Sequence, residues 1–191
     1  MFTGIIKGVG SITKVSDTKN LKKVEISAPK MWKFKEGESI SVSGICSTVV
    51  NSKKNIFNAE YMEETLKLTT AKKFEANNLV NLEKSLKVGD SLDGHIVSGH
   101  VEGRGIIKKI DLKGNTKVFS ISIPKALLRR VFLKGSVTVD GVSLTVSKKT
   151  QSNFEVSLIP YTLENTTLGK LCVGDKVNIE TDMFTRYAKK K

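Results

Sequence analysis

The sequence predicts an all-β protein with short helices, built as two tandem copies of one fold. Three observations carry that prediction: one stretch occurs twice, apolar and polar residues alternate strictly, and turn residues recur at short intervals. The stretch Val139-Asp140-Gly141-Val142-Ser143-Leu144-Thr145-Val146 repeats Val42-Ser43-Gly44-Ile45-Cys46-Ser47-Thr48-Val49 at an offset of 97 residues. The same offset relates Thr65-Leu66 to Thr162-Leu163, Phe57 to Phe154, Asn81 to Asn178 and Glu83 to Glu180. Upstream the offset is 95, so that Gly4, Gly8 and Gly10 match Gly99, Gly103 and Gly105. Two residues are therefore inserted in the second copy between Lys125 and Ser136.

The 191 residues thus divide into two units near the common domain size. The period is too long for a solenoid. Expected boundaries are 1–88 for the first unit, 89–182 for the second and 183–191 for a short helical tail. The linker from Ser85 to Asp93 is short and sets the units side by side.

Composition is that of a globular chain, 39% apolar and 27% charged. No apolar run reaches the length of a membrane span, and Lys7 and the early glycines interrupt any signal-peptide core, so a cytoplasmic protein without a membrane partner is expected. The net charge of +13 raises nucleic-acid binding as an alternative. The lysines are dispersed in pairs such as Lys53-Lys54 and Lys148-Lys149, however, and only Lys189-Lys190-Lys191 forms a run. With aromatics at 6% there is no stacking platform, and no nucleic-acid partner is expected. Cys46 and Cys172 fall at non-equivalent positions and make neither a disulfide framework nor a metal spacing; Cys172 reads as a small buried or half-buried residue.

Alternation over Lys23–Ser27, Val118–Ile123, Ser136–Val139, Phe154–Leu158 and Lys176–Glu180 argues half-buried antiparallel strands, about six per copy. Lys113-Gly114-Asn115 and Val173-Gly174-Asp175 punctuate them. Many short strands suit a closed barrel, although periodicity does not separate a barrel from a sandwich. Two short helices per copy are expected: one after Pro29 or Pro124, the other at Thr65–Leu68 or Thr162–Asn165. The tail from Met183 adds a last helix.

Where the copies differ, chemistry is expected. Ser43 becomes Asp140, Cys46 becomes Ser143 and Ile5 becomes His100, so the second copy gains an acid, a hydroxyl and an imidazole. These are the usual parts for proton transfer near neutral pH. The structural alternatives are a turn-forming Asp-Gly, a satisfied strand hydroxyl and a hydrogen-bonded histidine. A hydrolase triad is disfavoured because no Gly-x-Ser-x-Gly elbow surrounds Ser143. Gly8-x-Gly10 and Gly103-x-Gly105 lack the Lys-Ser/Thr of a phosphate loop.

Five separate stretches, Met1–Ile6, Gly44-Ile45-Cys46, Ser98-Gly99-His100, Asp140–Val146 and Leu158–Leu163, resemble the riboflavin synthase family with the right spacing along the whole chain. The resemblance implies two tandem homologous six-stranded antiparallel Greek-key barrels plus a short C-terminal helix. Each barrel would bind one 6,7-dimethyl-8-ribityllumazine, two per active site. The implied reaction moves a four-carbon unit from one lumazine to the other, giving riboflavin and 5-amino-6-ribitylaminouracil without metal or cofactor. A homotrimer is implied, with the active site between one subunit's first barrel and a neighbour's second, and so is an association with lumazine synthase.

By resemblance, Cys46, Ser143, Asp140, His100 and Phe2 would be catalytic. Gly4, Ile5, Ile6, Ser39, Cys46, Ser47, Thr48, Met62 and Thr65 would line the first pocket. Gly99, His100, Val101, Lys134, Ser143, Leu144, Thr145, Ile159 and Thr162 would line the second, and Thr3 would join Phe2 at the junction. The family usually has Leu-Thr after its first-barrel cysteine and often Asn before the glycine. Ser47-Thr48 and Ser43 stand here instead. A non-catalytic lumazine- or flavin-binding antenna protein of the same superfamily is the alternative.

Overall fold

In the computed structural model, residues 1–19 and 21–188 are described, and the terminal lysine run lies outside them. The second unit is a closed six-stranded barrel of β8 (Gly103–Lys113), β9 (Thr116–Ser122), β10 (Ser136–Val139), β11 (Val142–Lys149), β12 (Asn153–Leu158) and β13 (Lys176–Thr181). Around the barrel the order is β10-β11-β12-β9-β8-β13, with β10 pairing β13 to close it. β12 returns to β9 and β13 slots between β8 and β10, a Greek-key order that removes both sheet edges.

The first unit repeats this with one break. Its strands are β1 (Gly8–Thr18), β2 (Leu21–Ser27), β3 (Ser39–Val42), β4 (Ile45–Thr48), β5 (Asn51–Lys53), β6 (Ile56–Met62) and β7 (Leu79–Lys84). β4 pairs β3 and β5 pairs β6, so together they do the work of the single β11. The chain bends at Val49-Val50, where Val50 N donates to Asn58 O, and the ring is bridged there. A register shift at Ile12/Lys14 recurs at Ile107/Lys109, 95 residues on. Such bulges bend and twist long strands, which is what closing a small barrel requires.

Alternation sends one face of every strand inward. Phe57, Ile26 and Ile40 fill one core, and Phe154, Phe119 and Ile121 fill the other, all fully buried. Each such side chain is worth about 1.5–3 kcal/mol of burial. The cores are separate clusters, as expected for two units rather than one sandwich.

The helices are α1 (Glu63–Leu68), α2 (Lys125–Leu128), α3 (Pro160–Asn165) and α4 (Met183–Tyr187). Short 3₁₀ turns at Thr70–Lys73 and Thr167–Lys170 follow α1 and α3, each capped by a threonine hydroxyl. The expected helix after Pro29 does not form. That segment is a turn, with Trp32 N bonded to Pro29 O, because Met31-Trp32 replaces the helix-favouring Ala126-Leu127. Cys172 also departs from expectation. It is exposed, and both cysteines are free. No helix among the described residues is long and apolar enough to cross a membrane.

Candidate functional site

The two barrels meet across an approximate twofold axis, and the repeated stretch lies on it. A Cβ on Gly44 would fall 2.7 Å from Gly141 N, and one on Gly141 would fall 2.7 Å from Gly44 N. The tight β3–β4 and β10–β11 turns therefore touch backbone to backbone, and only glycine fits. Beside this contact Phe2 and Val97 exchange both backbone hydrogen bonds, at 2.8 and 3.0 Å.

From that crossing each copy's leading segment passes over to the other barrel. Gly4 O accepts from Ser143 N at 2.8 Å, and Ile6 packs on the second core. Gly99 O accepts from Cys46 N at 2.8 Å, and Val101 packs on the first core. The expected grouping is thus exchanged: Gly4, Ile5 and Ile6 belong with Ser143, while Gly99, His100 and Val101 belong with Cys46. Sequence similarity pairs equivalent positions, but which barrel a short leading segment covers depends on the domain interface, which the repeat does not encode.

A buried carboxylate fixes each crossing segment to its own barrel. Glu83 accepts from Thr3 N at 2.7 Å, Thr3 Oγ1 at 2.7 Å and Gly4 N at 3.0 Å. Glu180 does the same for Ser98 N, Ser98 Oγ and Gly99 N at 2.9, 2.5 and 2.9 Å. Burial raises the Glu83 carboxyl above its ordinary value, against the pull of the bonds from Thr3 and Gly4 and of the Lys7 charge.

Two equivalent surface half-sites result. Strand alternation turns Cys46 and Thr48 outward on β4, and Ser143 and Thr145 outward on β11. Met62 ends β6, which packs against β4, and Thr65 follows it in α1; Ile159 and Thr162 likewise follow β12, which pairs with β11. Met62 and Ile159 are 70% and 56% exposed, apolar surfaces that a flat ligand could cover. Ser39 begins β3 directly opposite Thr48, half-buried.

The remaining expected site residues divide between buried and exposed positions. Ser47 and Leu144 face inward, and Ser47 Oγ bonds the buried Tyr61 hydroxyl at 2.9 Å. Burial pushes that phenol far above its usual value. Phe2 is completely buried at the crossing, against the position a Gly99 Cβ would take. Thr3 is buried on Glu83. Lys134 sits at φ +64°, where the first copy has Gly37, and its N–H bonds Val146 O in the turn. His100 is exposed, its backbone N–H held by Ser98 Oγ.

Asp140 is buried on the axis, away from the outward face of Ser143. Its Oδ1 accepts from Asn178 N at 2.7 Å, as Ser43 Oγ accepts from Asn81 N at 3.2 Å. Desolvation pushes its carboxyl up to about 7, against the Asn178 bond. It lines an axial cleft of about 570 Å³ between the barrels, which contains none of the other residues expected at the site.

One neighbour was not expected. His95 Nδ1 lies 2.8 Å from Ser143 Oγ. Burial holds its imidazole below the ordinary histidine value, against the charges of Asp182 and Glu180, so the neutral ring predominates at neutral pH. Comparing the copies could not find it, because a counterpart 95 residues earlier would precede Met1.

Residues 3–85 and 98–182 each match the family model described as the lumazine binding domain. Fold, crossing and half-sites thus define a duplicated lumazine-binding-domain protein. Among curated relatives, the riboflavin synthase of Actinobacillus pleuropneumoniae is 39% identical over 188 residues, covering 98% of this chain and 87% of its own. That of Brucella abortus is 40% identical over 195 residues, covering 98% and 96%. The chain belongs to the riboflavin synthase family and is an enzyme of the transferase class. Among solved structures, LumP complexed with riboflavin superposes with a TM-score of 0.88 at 26% identity, covering 95% of this chain and 99% of that one. LumP complexed with 6,7-dimethyl-8-(1'-D-ribityl) lumazine gives 0.85 at 25%, with the same coverage.

Proposed function

We propose that this protein converts two molecules of 6,7-dimethyl-8-ribityllumazine into riboflavin and 5-amino-6-ribitylaminouracil. The observation that carries the reading is the pair of equivalent half-sites at Cys46 and Ser143, one for each of two identical substrates. Each offers an outward polar side chain, a flanking threonine and an apolar wall of Met62 or Ile159. A pteridine face needs such apolar cover, and its ribityl chain needs the hydroxyls.

The two half-sites differ where donor and acceptor roles would differ. The reaction requires loss of a proton from a ring methyl of one lumazine and addition of a nucleophile to the other. Neutral His95 can take the Ser143 hydroxyl proton, making Ser143 Oγ a relay to the bound ring. Cys46 presents a thiol at the equivalent place. Holding two rings together supplies the remainder through proximity. No residue in this account calls for a metal or cofactor.

In this reading a homotrimer completes the active site by apposing one subunit's Cys46 half-site and a neighbour's Ser143 half-site. The exposed Phe184 and Tyr187 of α4, at 67% and 77%, support burial of that helix in an assembly. Association with lumazine synthase and a cytoplasmic location follow from the same reading.

The test is incubation of purified protein with 6,7-dimethyl-8-ribityllumazine alone, followed by riboflavin absorbance. Stoichiometric conversion is expected. Retention of ligand without conversion would favour the antenna reading, to which the likeness to LumP gives its weight.

A further inference from the structure

The two crossing segments are held by equivalent glutamates, but only one glutamate carries an arginine. Arg186, on α4, donates from Nη2 to Glu180 Oε1 at 3.0 Å and to Thr181 O at 3.3 Å. Its Nε lies 3.3 Å from Glu102 Oε1, an ion pair without hydrogen-bond geometry. Glu102 Oε1 also accepts from Thr181 N and Thr181 Oγ1, at 2.8 and 2.6 Å, and Arg130 closes on Glu102 Oε2 at 2.5 Å. The Arg186 side chain is 18% exposed, so this pair is largely desolvated and its loss would leave Glu180 charged and buried. No arginine or lysine among the described residues bonds Glu83 in this way.

The chain of contacts does not stop at Glu180. The carboxylate grips Ser98 and Gly99, and Gly99 O takes the Cys46 N–H, with a Gly99 Cβ position only 2.8 Å from Cys46 Cβ. We infer that Arg186 is a positioning residue: from the C-terminal helix it locks Glu180, and through Ser98-Gly99 it sets the cover over Cys46 in the other barrel. The Ser143 half-site is covered instead by Thr3-Gly4 on Glu83, and Arg186 makes its bonds to Glu180 and Thr181, not to that cover. The C-terminal helix therefore sets the backbone cover of the Cys46 half-site, while toward Ser143 the Glu180 and Asp182 carboxylates act only by their charge on His95.

The rate arm of the test rests on the lumazine reading, while a second arm does not. In a Cys172→Ser background, amide exchange is followed at Cys46 and at Ser143, together with alkylation of Cys46 by iodoacetamide, in the parent, R186A and R186K. R186A is expected to speed exchange at Cys46 and alkylation of its thiol at least tenfold. Ser143 exchange should change less than twofold, and R186K should restore most of the protection. Equal acceleration at both amides, or none at Cys46, would overturn the inference, because the arginine would then be a general stabiliser or irrelevant. In the rate arm, R186A is expected to lower kcat more than tenfold, with partial recovery in R186K. A parent that makes no riboflavin defeats the functional reading and leaves the exchange result standing.

Discussion

Asn81 and Asn178 join the barrels by exchanging the same pair of bonds. Asn81 Nδ2 donates to Asp140 O at 2.9 Å while its Oδ1 accepts from Thr167 N at 2.8 Å. Asn178 Nδ2 donates to Ser43 O at 2.8 Å while its Oδ1 accepts from Thr70 N at 2.7 Å. Both side chains are fully enclosed. Alanine at either position strands a buried N–H and a buried C=O, each costing about 1–3 kcal/mol. N81A and N178A should each lower stability by roughly 2–4 kcal/mol in urea unfolding. Because both mutations damage one interface, the double variant should cost less than the sum of the two. An additive result would mean that the two sets of crossing bonds act independently of one another.

The glycine turns make a sharper contrast. Gly44 and Gly141 have φ of +84° and +79°, and each would drive a Cβ into the opposite backbone. G44A or G141A should cost more than the ~1–2 kcal/mol of left-handed strain alone. Gly37 has φ +82° with nothing near the Cβ position, and its counterpart Lys134 already tolerates +64°. G37A should therefore stay within ~1–2 kcal/mol, as thermal unfolding of the three variants would show.

How much of this was legible follows from what a repeat can encode. Offsets of 95 and 97 located the strands and both half-site strands, since scaffold residues such as Phe57 and Phe154 must fill equivalent cores. Alternation along β4 and β11 turns Ser47 and Leu144 inward, against the pocket roles the resemblance implied for them. The crossing was hidden because Gly4 and Gly99 look the same on either barrel. Asp140 misled because its position diverges from Ser43 in side-chain type while keeping the same job, accepting a buried asparagine N–H. His95 and Arg186 lie outside the duplicated positions, where no comparison between copies can reach.

Asp140 also makes stability depend on pH. Its carboxyl is raised from 3.8 to about 7 in the fold, so the folded state prefers it neutral. The stabilisation it contributes is complete below the unfolded value and is lost as pH rises through about 7. Asparagine keeps the acceptor for Asn178 N and suits the positive φ of +47°. D140N should match the parent near pH 4 and exceed it by roughly 1–4 kcal/mol at pH 8. Some slope will remain from Glu83, whose raised carboxyl acts in the same direction. Denaturant titrations at pH 4, 6 and 8 read this out, and an unchanged slope in D140N would assign the pH dependence to other groups.

The Ser143–His95 pair bears on activity in a different pH window. S143A removes the hydroxyl from the 2.8 Å contact and should lower kcat by about 10²–10⁴, the usual worth of a positioned proton-transfer group. C46A should lower it less if the cysteine chiefly shapes its half-site. Because burial depresses the imidazole, the neutral ring persists below the ordinary histidine value of 6.5. Activity should then hold as pH falls to that value and fail only beneath it, where His95 gains a proton and no longer accepts one from Ser143. H95N, which cannot titrate, should have a low rate with that acid limb gone. A limb retained in H95N would place the titrating group elsewhere.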